Sequence, residues 1–163
     1  MSKLILDATC GSKMFWFDND QSNTIFGDKR VLQDVLCDGR GLNISPDVQI
    51  DFVFLPFCDS SFKLVVFDPP HLVKLGKNSW MAKKYGVLDG GWRQSLEHGF
   101  RECFRVLEEF GILIFKWNEL DIAVKEVLGL VEYKPLFGHI SGKRSNTHWI
   151  TFMKYASMFT DLT

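Results

Sequence analysis

Short apolar runs alternate along the chain with polar stretches, and several of the runs end in an aspartate. The pattern predicts strands at KLILD, NTIFGD, DVQIDF and FKLVVFD, which end at or near Asp7, Asp28, Asp51 and Asp68. A fifth strand is expected at ILIFKW, and two final strands at VEYKPLFGH and THWITFMKY. Apolar runs of this length, bounded by turn-forming residues, are typical of strands in a sheet.

Apolar residues at three- and four-residue steps predict helices between these strands. The clearest helical pattern covers residues 92–110, with Gly111 as its expected cap. Its apolar positions are Leu96, Phe100, Cys103, Phe104 and Leu107. VLQDVLC and ELDIAVKEVLGL also predict helices, and CGSKMFWF predicts a turn that can include a short helix. Strands alternating with helices indicate an α/β domain with a mainly parallel sheet, and the last two strands an antiparallel edge pair.

Composition and length are those of an ordinary globular domain, since the 163 residues are 46% hydrophobic and 24% charged. The formal net charge of −1 excludes a global basic field, so any polyanion must bind to a local patch. The four cysteines have no zinc-binding spacing and are expected to be reduced, which indicates a cytoplasmic protein without a metal site. Neither a signal peptide nor a membrane span is expected.

The four strand-end aspartates are the most informative pattern in the chain. In open parallel sheets, ligands bind at the carboxyl ends of the strands. A single aspartate at such a point is often only a turn former, but four on one rim would repel one another unless a ligand supplied hydroxyl, amino or sulfonium donors. The chain lacks both G-x-G-x-x-G and G-x-x-x-x-G-K-[ST], so a nucleoside without a polyphosphate is expected, with Asp28 where a ribose-binding acid belongs.

LILDATCGS, TIFGD and DFVFLPFCDSSFKLVVFDPPH resemble, in this order and spacing, the motifs of class I S-adenosylmethionine-dependent methyltransferases. The stretch is most similar to short enzymes with an Asp-Pro-Pro-His motif, including ones found in phages. The resemblance implies a Rossmann-like fold with a mainly parallel seven-stranded sheet, an antiparallel last strand and helices on both faces. It also implies S-adenosyl-L-methionine as the cofactor, and the host cytoplasm as the location of a phage-encoded enzyme.

The resemblance also implies roles for single residues in the cofactor site. Asp28 would accept from the ribose hydroxyls, Asp51 would accept from the adenine amino group, and Phe52 would lie against the ring. The other implied cofactor-binding residues are Asp7, Ala8, Thr9, Cys10, Gly11 and Asp68.

The sequence FDPPH would supply the chemistry at the end of the fourth strand. An exocyclic amine on adenine or cytosine is a poor nucleophile, because its lone pair is delocalised into the ring. The Asp68 carboxylate and the Pro69 carbonyl could each accept one N–H and keep the lone pair directed at the methyl group, with Pro70 fixing the turn. His71 is planar and could stack on the flipped base, although amino-methyltransferases usually have Tyr, Phe or Trp at this position. The alternative for Asp68–Pro70 is a rigid strand exit.

Basic and aromatic residues follow this motif and suit contact with phosphates and stacked bases. The candidate substrate-binding residues are Lys74, Trp80, Lys83, Lys84, Tyr85, Lys143 and Arg144. For each of them, and for His98, His139 and His148, an ordinary surface or loop position is the alternative. Residues 1–163 are expected to form one domain, with a mobile substrate loop at about 71–91 and no separate target-recognition domain.

The favoured function is methylation of a nucleic-acid base, at adenine N6 or secondly at cytosine N4. Without a recognition domain, such an enzyme would select DNA or RNA through its basic loops, a homodimer or a partner protein. The alternatives are a methyltransferase of a small molecule or a protein side chain, and a non-catalytic cofactor-binding module that contacts a partner protein.

Overall fold

The computed structural model describes residues 3–74, 79–142 and 146–155. Two of the predicted substrate residues, Lys143 and Arg144, lie outside the described residues and stay predictions. No helix within these three ranges is long and apolar enough to cross a membrane.

The described residues form nine strands and three helices, which we number in chain order. The strands are β1 Ile5–Asp7, β2 Thr24–Asp28, β3 Leu32–Val35, β4 Gly41–Ile44, β5 Val48–Gln49, β6 Phe62–Phe67, β7 Leu107–Asn118, β8 Phe137–Ile140 and β9 Thr147–Met153. The helices are α1 Trp80–Tyr85, α2 Trp92–Val106 and α3 Val124–Leu128.

Seven of the strands form one sheet in the order β5-β2-β1-β6-β7-β9-β8. The neighbours from β5 to β7 are parallel, and β9 is antiparallel to both β7 and β8. This order confirms the predicted α/β fold, with a mainly parallel seven-stranded sheet and an antiparallel last strand. The chain leaves β1 towards β2 and returns to β6 on the other side of β1. That reversal opens a crevice at the carboxyl ends of β1 and β6.

The helix predicted from VLQDVLC is wrong, because Leu32–Val35 form β3 of an antiparallel hairpin with β4. Gly39 reverses the chain at φ 83°, and the Leu36 N–H donates to the Arg40 carbonyl across the turn at 2.8 Å. The hairpin encloses its own small apolar cluster around Leu36. Two turns of apolar residues are too few to stabilise a helix by themselves, whereas a glycine with positive φ favours the reversal.

The predicted helix at residues 92–110 ends earlier than expected, since α2 stops at Val106. Leu107 is fully buried and pairs with Phe62, so the chain enters β7 directly. The register then shifts between Phe62 and Leu64, and Phe110 has a φ of 62° in this irregular stretch. Gly111 lies inside β7 and does not cap the helix, which corrects that prediction.

Four other segments differ from the sequence pattern in length or type, one of them the strand predicted at VEYKPLFGH, which is reduced to Phe137–Ile140. The strand predicted at DVQIDF is reduced to Val48–Gln49, and the helix predicted at ELDIAVKEVLGL to Val124–Leu128. Helix α1 lies within the segment 71–91 that was expected to be a loop.

The two faces of the sheet are covered differently. Phe115 and Trp117 are fully buried in the core that α2 and α3 also contribute to. The intervening Lys116 points to the opposite face, because side chains alternate along a strand. There the loop after β1, which was expected to allow a short helix, forms turns, and its Phe15 ring packs on Trp149 at 5.3 Å between centroids. In the described part of the chain, α2 and α3 therefore pack into the core on one face, and the loop after β1 covers Lys116 on the other.

Candidate active site

The parallel strands bring the four predicted aspartates to one rim of the sheet. Asp7 and Asp28 are the last residues of β1 and β2, and Asp68 directly follows β6. Asp51 comes two residues after β5, where it forms an isolated bridge with Phe54. Because β5, β2, β1 and β6 are consecutive in the sheet, all four residues border the crevice expected from the topology.

Asp68 is anchored through both its backbone and its side chain. Its N–H donates to the Thr9 hydroxyl at 2.8 Å, so the turn after β1 holds the start of the Asp-Pro-Pro-His sequence. Its Oδ2 accepts from Lys116 Nζ at 2.5 Å. Burial raises the pKa of the Asp68 carboxyl, and the Lys116 ammonium acts in the opposite direction. The charged form of Asp68 therefore depends on its partner on β7.

Lys116 was not predicted from the sequence as a site residue. It is the third residue from the end of β7, the strand that pairs with β6. Its side chain is 20% exposed. Its Nζ lies 5.1 Å from the centroid of Phe15 and 5.6 Å from that of Trp149. The signal that could have identified it is a single lysine within the otherwise apolar run ILIFKW.

Asp7 is fully buried at the end of β1 and is held by neighbouring donors. Trp16 Nε1 donates to Oδ2 at 2.7 Å, and the Thr9 N–H donates to Oδ1 at 3.2 Å. Burial raises the pKa of Asp7 to about 7, despite these hydrogen bonds. In this structure Asp7 therefore fixes the turn that carries the predicted cofactor residues.

All the acceptor positions of Asp28 are occupied by protein donors. Oδ1 accepts from the N–H of Arg30 at 2.9 Å and from its Nε at 3.0 Å. Oδ2 accepts from the N–H of Gly11 at 2.9 Å and from Arg30 Nη2 at 3.2 Å. A carboxylate has about four lone-pair positions. The predicted contact between Asp28 and a ribose hydroxyl would therefore require one of these donors to move aside.

Arg30, a second residue that was not predicted, also connects the rim to α1. Its Nη1 donates to the carbonyl of Lys83 at 3.1 Å and to that of Lys84 at 3.4 Å. The end of α1 contacts the Asp-Pro-Pro-His turn as well, since a Cβ placed on Gly86 would lie 2.9 Å from Pro70 Cγ. Helix α1 is thereby docked over the crevice by Arg30 and by Pro70.

Among the described residues, two cavities at this rim are bordered by Asp68. The first, which we call the Asp51 cavity, has a volume of about 330 Å³. Its lining includes Ala8, Thr9, Asp28, Arg30, Asp51, Phe52, Asp68, Pro70 and Tyr85. The second, which we call the His71 cavity, is lined by Thr9, Cys10, Gly11, Ser12, Met14, Phe15, Arg30, Asp68, Pro69, His71, Lys84, Tyr85 and Lys116. Asp68, Thr9, Arg30 and Tyr85 border both cavities.

His71 is half-buried between aromatic rings. Its centroid lies 5.6 Å from that of Tyr85 and 6.2 Å from that of Trp117. Burial, and then the charge of Lys116, lower the pKa of His71 to about 4, so the ring is neutral at pH 7. Asp121 holds the next turn by accepting the Val73 N–H at 2.9 Å. A neutral, fixed imidazole suits stacking better than proton transfer at this pH.

The predicted substrate residues on α1 have different surroundings. Lys84 and Tyr85 line the His71 cavity, with Lys84 Nζ 5.0 Å from the Tyr85 centroid. Lys83 is paired with Asp34 of β3 at 2.6 Å. Trp80 is 40% exposed, and the exposed Lys74 lies outside both cavities.

The remaining histidines lie away from both cavities. His98 is half-buried on α2, and His139 is exposed on β8. His148 Nε2 lies 2.8 Å from Glu119 Oε1 beyond the end of β7.

No protein-family model and no curated protein matches the chain. Among solved structures, it is similar to the PH0226 protein of Pyrococcus horikoshii OT3, with 15% identity over 92% of this chain and 81% of that one, and a TM-score of 0.58. A SAM-dependent methyltransferase of Methanosarcina mazei shares 13% identity over 95% and 94% of the chains, at a TM-score of 0.57. A TehB-like SAM-dependent methyltransferase of Corynebacterium glutamicum shares 14% over 94% and 80%, also at 0.57.

The chain has the class I methyltransferase fold. This agrees with the fold that the sequence motifs implied. At such low identity the similarity concerns the fold, so inferences about the substrate must come from the residues of the two cavities.

Proposed function

We propose that the chain is an S-adenosylmethionine-dependent methyltransferase that acts on an exocyclic amino group of a nucleic-acid base. The observation that carries this proposal is the position of Asp68, which borders both cavities and is followed by a rigid Pro-Pro turn. A group held in the Asp51 cavity and a group held in the His71 cavity would meet at this residue.

The Asp51 cavity fits the adenosine part of the cofactor. Asp51 keeps a side chain that is 34% exposed, although Lys29 Nζ lies 2.7 Å from its Oδ2. Phe52 offers an aromatic face beside it. An acid next to an aromatic ring suits an adenine amino group and its ring. The cofactor supplies an electrophilic methyl group on a sulfonium centre.

The His71 cavity has a volume of about 40 Å³, so it would widen to take a planar amine. In this proposal Asp68 accepts one N–H of the amine and the Pro69 carbonyl accepts the other, since both residues line the cavity. The nitrogen then forms a bond to the methyl carbon while the carbon–sulfur bond breaks, and that electron pair stays on the sulfur. The Asp68 carboxylate is the base that can take the proton released by the amine. Phe15, His71 and Tyr85 provide rings against which a base can stack.

The surroundings of this cavity support a nucleic-acid acceptor. Lys84 lies at the cavity, and Met14 beside it is 57% exposed. Phe17 of the same loop is fully exposed, as expected of a stacking platform. Adenine N6 is the favoured target and cytosine N4 the second, a choice that rests on the sequence motif. The net charge of −1 instead favours a small-molecule amine, which is the alternative acceptor.

Radiolabelled S-adenosylmethionine offered with DNA, RNA and a panel of small amines tests the proposal. We expect label in a nucleic acid with the wild-type protein and none with Asp68→Ala. Cofactor binding, measured by calorimetry, should be retained in the variant. Label only in small amines would favour the alternative acceptor, and a wild-type protein that binds no cofactor would contradict both.

A further inference from the structure

We infer that Lys116 is a positioning residue for the proposed methyl transfer and that it holds Asp68 as a charged hydrogen-bond acceptor. In this arrangement Lys116 occupies one carboxylate oxygen and leaves the other for the N–H of the target amine. The part of this inference that concerns catalysis rests on the proposed function. The geometry that carries it is the contact of 2.5 Å between Lys116 Nζ and Asp68 Oδ2.

The second oxygen of Asp68 is available in this structure. Its Oδ1 accepts no hydrogen bond from the protein within residues 3–74, 79–142 and 146–155. The backbone N–H of Asp68 is already taken by Thr9, so the motif does not depend on Oδ1 to hold its place. Thr9 holds the backbone of Asp68 and Lys116 holds its Oδ2, so that among the described residues Oδ1 remains the free acceptor beside the His71 cavity.

Lys116 is itself held from two directions that are distant in sequence. Phe15 comes from the loop after β1, and Trp149 pairs directly with Lys116 in the register of β7 and β9. The two rings lie at 88° to each other, and the ammonium is within 6 Å of both centroids. Such a cation–π setting favours the charged ammonium and restricts its side chain. Within the described ranges, Lys116 is thus the cation held against Asp68.

The other charges near Asp68 do not replace Lys116. The neighbouring ionisable groups are Asp7 on β1, Asp28 and Arg30 at the end of β2, His71 on the same turn, and Lys84 and Tyr85 on α1. Asp7 and Asp28 are acids, and Arg30 is bound to Asp28. Burial also keeps His71 neutral at pH 7. Lys116 is the cation in direct contact with Asp68 among the described residues, and removing it would favour the protonated carboxyl. A protonated carboxyl is a weaker acceptor than the carboxylate and cannot take up the proton that the amine releases.

The test compares Lys116→Met and Lys116→Gln with Lys116→Arg and with a control, Lys63→Met. Lys63 forms an exposed ion pair with Glu108 at 2.8 Å, away from the rim. The first measurement is the pH titration of the Asp68 carboxyl carbon by NMR, assigned with Asp68→Asn. We expect the midpoint of the Asp68 titration to rise by about one to three pH units in Lys116→Met and Lys116→Gln. It should stay near the wild-type value in Lys116→Arg and Lys63→Met. An unchanged midpoint in a folded neutral variant would overturn the inference.

The second measurement is the pH dependence of kcat/KM for methyl transfer. The acidic limb should move to higher pH in Lys116→Met, with activity partly regained as the pH rises, and Lys116→Arg should keep the wild-type limb. A uniform loss at every pH, or a loss confined to cofactor affinity, would contradict a positioning role. If the wild-type protein methylates no base, the proposed function fails, and the NMR titration still decides whether Lys116 controls Asp68.

Discussion

Arg30 and Asp28 form a two-pronged ion pair at the end of β2, with Nε 3.0 Å from Oδ1 and Nη2 3.2 Å from Oδ2. The same guanidinium reaches the last carbonyls of α1. Arg30 donates to the carboxylate that was predicted to accept from the ribose, and it also holds α1 over the crevice. Contacts at Asp28 and the docking of α1 are physically coupled through one side chain.

Arg30→Ala should loosen α1 without unfolding the domain. The amide of Gly86 donates to the Ala82 carbonyl at 2.9 Å, and its hydrogen exchange reports on the end of α1. We expect exchange there to become about tenfold faster, because charge-assisted hydrogen bonds to α1 are lost. Arg93→Ala is the control, since it removes an exposed pair with Glu126 and a contact with the Trp92 ring, neither of which involves α1. Equal protection of α1 in both variants would show that Arg30 does not hold the helix.

Gly86→Ala tests the contact between α1 and the Pro-Pro turn. Gly86 has a φ of 75°, and a Cβ would lie 2.9 Å from Pro70 Cγ. The matched control is Gly39→Ala, because Gly39 has a similar φ of 83° and no described atom lies within 4 Å of an added Cβ. Both variants should lose about 1 kcal/mol of unfolding free energy in urea from backbone strain. Only Gly86→Ala should also slow methyl transfer, because the added Cβ would displace Pro70. Equal rates for the two variants would contradict this.

Asp7→Asn should remove a pH dependence of stability. The pKa of Asp7 is raised from 3.8 to about 7 in the folded protein, chiefly by burial. Between these values the folded state binds more protons than the unfolded state, so the wild type loses stability as the pH rises from about 4 to about 7. The free-energy difference is about 4 kcal/mol at most.

Urea unfolding at pH 5 and pH 7.5 measures this effect. The wild type should be less stable at the higher pH, and Asp7→Asn should show a smaller change, because the amide oxygen still accepts from Trp16 without a charge. Asp18→Asn is an exposed control that should follow the wild type. A pH dependence that is the same in all three proteins would mean that Asp7 is charged in the folded state throughout.

Most of the sheet could be predicted from the chain, because β1, β2, β6 and β7 are apolar runs with clear boundaries. Their parallel arrangement then placed Asp7, Asp28 and Asp68 on one rim. The segment around Leu32 was misread because four apolar residues at helical spacing also fit a hairpin once Gly39 reverses the chain. The end of α2 was misplaced because Leu107 fits the helical pattern and is buried equally well as a strand residue.

The contacts that complete the candidate site could not be predicted, because they join distant parts of the chain. Lys116 and Asp68 are 48 residues apart and meet only because β6 and β7 are neighbours in the sheet. Arg30 contacts Lys83 across 53 residues, through a helix that sequence pattern alone did not predict. Strand-end acids are visible from local sequence, whereas the partners that set their charge depend on strand order.

Modified nucleosides from cells that express the protein provide the most direct test that Asp68 holds a base amine for methylation. Mass spectrometry of digested DNA and RNA should show N6-methyladenine, or secondly N4-methylcytosine, above background with the wild type. Cells expressing Asp68→Ala at the same level should show none above background. Equal methylation in the two strains, or no methylated base with the wild-type protein, would contradict the proposal.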